Sequence, residues 1–348
     1  MLKQIEGLPE GINFPLALAP MVGLSHVALR LVVRDYLPDQ ARTIWPTEML
    51  SSWKLPKEVL GQTNETFRGP NEQDLVPQIL GNEEEPIRQS IQSLQAWGVE
   101  GVDINMGCPV RKALKHNYGV ALMGDPEYAA EVVSMAARSS QVPVSVKLRA
   151  GRQNDLDFLS GFVDGLVAAG ANWICLHPRV GEQKRRGKAD WSQIGYLKKR
   201  LSCPVVGNGD VQNIADYHRM KDQTGCDLVM SGRGLAARPW MLWQLAEDIG
   251  LGLSSRPGEA APRTPEEEGA EYGRALLRLI EELERYFTPH EAMKRLRFHL
   301  RMTNMWLDYG HSLMKAMNNS PDMMAAKLAT QQFFSKPQRM SASSNLVG

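Results

Sequence analysis

One cysteine in this chain stands where a thiol can do chemistry. Cys108 lies between Gly107 and Pro109, directly after Asp103-Ile104-Asn105-Met106 at the end of a strand-like run. On such a loop a thiol can serve as an acid or a nucleophile, whereas Cys175, Cys203 and Cys226 fall inside strand-like runs and read as small buried hydrophobes. Other strand ends carry polar residues too: Pro20-Met21, Gln78, Lys147-Leu148-Arg149, His177-Pro178-Arg179, Asn208-Gly209-Asp210 and Ser231-Gly232-Arg233-Gly234. Taken singly, each is more often structural. Together, the two glycine-bearing loops and Arg233 form a cradle in which backbone N–H groups and a guanidinium can hold a phosphate. Lys147 and His177, beside Gln78, can hydrogen-bond the pyrimidine edge of an isoalloxazine, so the set reads as a site for flavin mononucleotide (FMN). No Ser–His–Asp arrangement and no paired metal-ligand spacing competes, and no metal is expected.

The elements that must position these residues alternate between short β-branched runs and stretches of helical periodicity. Strands are predicted at 15–20, 43–49, 75–80, 100–105, 142–148, 172–177, 203–208 and 226–231, with helices such as 83–97, 126–139, 155–169 and 211–222 between them. Eight strands in about 230 residues, several of them apolar throughout like VPVSVKL, predict a (β/α)8 TIM barrel, whose chemistry sits at the C-terminal strand ends. Residues 1–250 are read as this cofactor-binding barrel. A Gly/Pro/Ser/Glu-rich linker follows over 251–265, then an all-α helical bundle over 266–336, and 337–348 reads as a flexible tail.

Composition bounds the partners. The chain has 348 residues, 43% of them hydrophobic, with 40 Lys+Arg against 39 Asp+Glu. That excludes a disordered or collagen-like chain. No apolar run approaches the ~18 residues of a membrane span, and the N-terminus MLKQIEGLPE lacks a signal-peptide core, so a cytoplasmic protein with reduced thiols is expected. The neutral average hides basic patches. Residues 179–188 hold Arg179, Lys184, Arg185, Arg186 and Lys188 against one acid, and 287–348 carries eight Lys/Arg and three Asp/Glu. Lys294, Arg295, Arg297 and Arg301 crowd two turns of one predicted helix. They are either a solvated face or a binding surface for a polyanion.

The strings DINMGCP, GVALMGDP, VSVKLRAG, LHPRVGEQKRRGKADW, VVGNGD and DLVMSGRG, in this order across 15–250, resemble the tRNA-dihydrouridine synthase family. NNSPD at 318–322 is similar to its bacterial C-type subgroup. The resemblance implies FMN-dependent, NADPH-using reduction of a D-loop uridine of tRNA to 5,6-dihydrouridine, with position 16 implied by the C-type likeness. It implies that Cys108 is the acid that protonates C5 of uracil. Flavin contacts are implied for Pro20, Met21, Gln78, Lys147, His177, Asn208, Gly209, Asp210, Gly232 and Arg233. Asn105, Arg111, Arg179, Lys184, Arg185, Arg186, Lys294, Arg295, Arg297 and Arg301 would face substrate or tRNA. A monomer is expected. The chain departs from the family pattern after the cysteine, with Val110-Arg111 and then Lys115-His116-Asn117-Tyr118 in place of a glycine-rich stretch. Two other readings remain open from the residues: an FMN barrel reducing a small molecule, such as an ene-reductase or a dihydropyrimidine or dihydroorotate dehydrogenase, and a non-catalytic RNA-binding barrel.

Overall fold

The structure is a computed structural model that describes residues 2–109, 114–151, 155–183 and 186–344. Eight parallel strands form: β1 Leu16–Leu18, β2 Met49–Ser51, β3 Gln78–Leu80, β4 Val102–Met106, β5 Val144–Arg149, β6 Trp173–His177, β7 Val205–Asn208 and β8 Leu228–Ser231. They pair in the order β1-β8-β7-β6-β5-β4-β3-β2. At the seam between β1 and β2 the Asn13 and Phe14 amides donate to the Arg42 carbonyl at 3.0 and 2.9 Å, and the Thr43 hydroxyl donates to the Leu16 carbonyl at 2.9 Å. The strand expected at 43–49 is displaced. Trp45 makes only an isolated bridge to Leu75, and the ladder resumes where Met49 pairs with Gln78. Pro46 and Pro77 lie between these points, and proline has no N–H to donate to a ladder.

Alternation along the strands builds two layers of core. Ala17, Ala19, Val76, Trp173, Cys175, Val206, Leu228 and Met230 fill the barrel, and burial pushes the Cys175 thiol up to about 12. Leu16, Leu18, Ile104, Val146 and Leu176 face outward under the helices. Those helices are α1 Val27–Arg34, α2 Glu84–Ala96, α3 Pro126–Ser139, α4 Leu156–Ala168, α5 Ser192–Arg200, α6 Ile214–Thr224 and the short α7 Arg233–Ala237. Side-chain caps at Asp125, Asp155 and Asn213 start α3, α4 and α6.

Beyond the barrel come α8 Met241–Asp248, α9 Pro265–Tyr286, α10 Pro289–Thr303, α11 Gly310–Asn319 and α12 Met323–Phe334. Thr264 and Glu267 close a capping box on α9. The α9 helix docks on the barrel through buried polar contacts. The Tyr36 hydroxyl donates to Glu271, and Glu268 receives Arg238 Nε at 3.0 Å and Trp240 Nε1 at 3.1 Å. The tail is not loose where it is described. Met340 is buried and bridges Leu307, and its amide donates to the Pro265 carbonyl at 2.9 Å. Asn213 Nδ2 donates to the Ala342 carbonyl at 2.6 Å, and the Ser344 amide to Gln212 Oε1 at 2.9 Å. The flexible tail expected at 337–348 is thus corrected for 337–344, which straps the helices to the loop after β7. No helix among the described residues is long and apolar enough to cross a membrane.

Candidate active site

A cavity of about 370 Å³ opens at the C-terminal ends of the strands. It gathers Pro20, Met21, Gln78, Asn105, Cys108, Lys147, His177, Arg179, Asn208, Gly209, Asp210, Gly232 and Arg233 onto one surface. Strand register does this: Asn105 is paired with Lys147, and Arg149 with His177. Arg149, which the sequence reading did not select, lines the same cavity, and its Nε donates to the Gly107 carbonyl at 3.0 Å. Its signal was available, because it lies two residues after Lys147 and therefore on the same face of β5. Asp103 and Ser145 were also missed. They precede Asn105 and Lys147 by the same interval.

The wall is cationic. Among the described residues, Lys147, Arg149, Arg179 and Arg233 line it against one acid, Asp210. Lys147 Nζ donates to Asn208 Oδ1 at 3.0 Å, and Asn208 Nδ2 to the Met230 carbonyl at 2.7 Å, which holds the ammonium in the mouth. Burial first, and then the four surrounding cations, hold the His177 imidazole well below its usual pKa, so it is neutral at neutral pH. Arg179 Nη1 stands 3.1 Å from His177 Nε2. A guanidinium only donates, so Nε2 accepts and the ring proton lies on Nδ1.

Two of the anticipated contacts have different work. Arg179, read as facing the substrate, is buried, with Nη2 paired to Asp210 Oδ1 and donating to the Gly187 carbonyl, both at 2.6 Å. It orients His177 and closes the loop after β6, so it borders the mouth with its charge committed to Asp210 and presents no exposed cation to an RNA backbone. Gly234, read as part of the phosphate cradle, is required by packing: a Cβ there would lie 2.2 Å from the Val211 carbonyl oxygen. Gly209 has a φ of +114°, and a Cβ on it would stand 2.8 Å from the His177 ring. Arg111, Lys184 and Arg185 lie outside the described residues, and Arg186 is exposed.

The Cys108 loop is held from below. Asn105 Oδ1 accepts the Gly107 and Cys108 amides at 3.1 and 2.9 Å, and the Cys108 carbonyl accepts the Val120 amide at 3.1 Å. Leu80, Tyr118 and Met49 pack beside the thiol, and the Tyr118 ring stacks on His116 at 5.7 Å.

A second cavity, of about 900 Å³, adjoins the first through Val22 and Phe298, which line both. Lys294, Arg297 and Arg301 of α10 border it. Lys294 and Arg301 are exposed, Lys294 pairing with Glu291 at 3.2 Å, and Arg297 donates to the Ser320 carbonyl at 2.9 Å. Arg295 is a correction. It is buried against Glu48, with Nη1 2.6 Å from Oε1, and its guanidinium lies 4.5 Å from the centre of the Phe287 ring. It therefore ties α10 to the barrel and borders the groove with its charge committed to Glu48. NNSPD ends α11 and turns the chain into α12, where Asp322 caps the Ala325 amide at 2.8 Å.

The sequence profile of the dihydrouridine synthase (Dus) family matches residues 17–335. The chain belongs to the dihydrouridine synthase family. A probable tRNA-dihydrouridine synthase of Rhodobacter capsulatus is 30% identical over 257 residues, 72% of this chain and 74% of that one. The tRNA-dihydrouridine synthase B of Pseudomonas aeruginosa is 27% identical over 325 residues, 93% of each chain. Neither relative carries the C-type designation suggested by NNSPD. Among solved structures, a 2-naphthoyl-CoA reductase complex superposes with a TM-score of 0.50 at 11% identity, covering 70% of this chain and 53% of that one, a likeness of fold. Dihydrouridine synthases are FMN-dependent oxidoreductases that use NADPH. The cavity fits that cofactor: a deep mouth with four cations suits a phosphate ester, and Gln78, Lys147 and neutral His177 suit the polar edge of a flavin.

Proposed function

We propose that this enzyme reduces a D-loop uridine of tRNA to 5,6-dihydrouridine, with Cys108 as the proton donor. The observation that carries the reading is the Cys108 loop, fixed by Asn105 at the edge of a cationic cavity that continues into a groove along α10. When bound, FMN supplies hydride chemistry, drawing on NADPH and acting at C6 of the uracil. Cys108 gives its thiol proton to C5, so that one hydride and one proton saturate the double bond. Lys147 and His177 would hydrogen-bond the cofactor's polar edge, and Arg233 with the backbone at 209–211 and 232–233 would receive its phosphate. Uracil C5 and C6 are shielded in a stacked helix, so the base is turned out into the mouth at a cost of about a few kcal/mol.

Lys294, Arg297 and Arg301 hold the RNA backbone while the base is inserted. The position proposed is 16, resting on NNSPD. The active form is proposed to be a monomer, working in the cytoplasm where tRNA is met. A small-molecule reductase is not favoured by the family. Dihydrouridine mapped in tRNA from a strain lacking this gene tests the assignment. Loss of one D-loop dihydrouridine is expected, and an unchanged map would overturn it.

A further inference from the structure

Below the Cys108 loop runs a line of side chains with a single self-consistent donor direction. Ser145 Oγ donates to Asp103 Oδ1 at 2.6 Å, and Gln78 Nε2 donates to Asp103 Oδ2 at 2.6 Å. Asn105 Nδ2 donates to Gln78 Oε1 at 2.7 Å, while Asn105 Oδ1 takes the Gly107 and Cys108 amides. Neighbouring strands bring these groups together, since Gln78, Asp103 and Ser145 are register partners across β3, β4 and β5. The two ends set the direction. Backbone amides only donate, so Asn105 must turn its oxygen to them and its NH2 to Gln78. Gln78 must then turn its oxygen to Asn105 and its NH2 to Asp103. Either carboxamide reversed would set N–H against N–H or oxygen against oxygen.

Asp103 itself lies beneath the mouth and borders the barrel interior with Trp173 and Cys175. Burial raises its pKa. Either protonation state serves, because a proton on Oδ1 would be donated to Ser145 and leave Oδ2 to accept from Gln78. We propose that Asp103 is a positioning residue for the reaction: by accepting from Gln78 it locks both carboxamides and so holds the Gly107-Cys108 segment, and the thiol it carries, over the mouth. This rests on the reading of Cys108 as proton donor. Asp103 acts through Gln78 and Asn105.

The test compares Asp103→Leu with Asp103→Asn at saturating FMN, with Asp103→Ala replacing the leucine variant if that one does not fold. Asp103→Leu removes the acceptor, and kcat on tRNA should fall roughly 10- to 100-fold, a larger loss than in the rate at which NADPH reduces the bound flavin, which Gln78 also borders. Asp103→Asn can give its oxygen to Gln78 and its NH2 to the Ser145 hydroxyl, so turnover should stay within about twofold of the parent. In an Asn105→Ala background, Asp103→Leu should add little, because the path to Cys108 is already cut. Alkylation of Cys108 by iodoacetamide should quicken roughly threefold or more in Asp103→Leu as the loop opens, and not in Asp103→Asn. Parent turnover in Asp103→Leu would overturn the proposal. So would equal losses in the leucine and asparagine variants, which would mean that charge is what matters, or a full leucine effect without Asn105. Should the parent form no dihydrouridine, the functional reading fails, and the alkylation rates, which need no RNA, still decide the positioning role.

Discussion

Replacing Arg295 with methionine separates a buried tie from an RNA contact on the same helix. The Arg295 and Glu48 side chains are 8% and 5% exposed, and the other Glu48 oxygen accepts the Gly23 amide. Arg295→Met keeps the apolar stem and leaves Glu48 buried with one backbone donor, a loss of about 3–5 kcal/mol. With an unfolding entropy of about 2.1 cal/mol/K per residue, that corresponds to a Tm lower by about 4–7 °C for a chain of 348 residues. Calorimetry of the FMN-loaded protein reads the Tm, and tRNA binding across a salt titration reads counterion release. The salt slope should stay at the parent value, because a guanidinium committed to Glu48 displaces no counterion from RNA. Exposed Lys294, replaced by alanine, should instead reduce the slope by roughly one unit or less and leave Tm nearly unchanged. An Arg295→Met protein with parent Tm and a shallower slope would refute the reasoning.

Other perturbations follow from the same contacts. Gly209→Ala would place a Cβ 2.8 Å from the His177 ring at a φ of +114°, so FMN should bind roughly tenfold or more weakly. A fluorescence titration giving the parent Kd would count against His177 as a cofactor contact. Burial holds His299 at about 4, below the 6.5 of an unfolded histidine. Its contribution is therefore complete above pH 6.5 and is lost as pH falls toward about 4, by roughly 1.4 kcal/mol per pH unit. Denaturant melts of His299→Leu should show a slope smaller by one proton in that window, and an unchanged slope would contradict the shift. Deleting 337–348 removes the buried Met340 side chain, about 1.5–3 kcal/mol, and should lower Tm by a few degrees. Parent stability in the truncated protein would mean that the strap carries no load.

Much of the barrel was legible because its signals are local. Short β-branched runs such as VSVKLR, bounded by turn signals, read as strands, and alternation puts Ser145, Lys147 and Arg149 on one side of β5. The displaced β2 shows the limit, since composition marks a strand near 43–49 while Pro46 decides where the ladder can form. The mouth was legible for a similar reason: polar residues at successive strand ends must converge in a barrel. What escaped depends on partners far off in sequence. Arg295 and Glu48 are 247 residues apart, and nothing near either one says that both are buried. Arg179 looked like a member of a basic patch, but Asp210, which pairs with it, comes from the next strand's loop. The tail resembles any polar terminus, and only Met340, meeting Leu307 and Pro265 across the fold, makes it a strap.

The most direct test of the central claim is a reaction with purified parts. Unmodified tRNA transcript, FMN-loaded enzyme and NADPH are combined, and dihydrouridine is counted and mapped by mass spectrometry for the parent and for Cys108→Ala. The account predicts dihydrouridine at one D-loop position with the parent. With the alanine variant it predicts almost none, although that variant binds FMN and accepts electrons from NADPH at the parent rate. Equal dihydrouridine from Cys108→Ala, or none from a flavin-loaded parent that NADPH reduces normally, would contradict it.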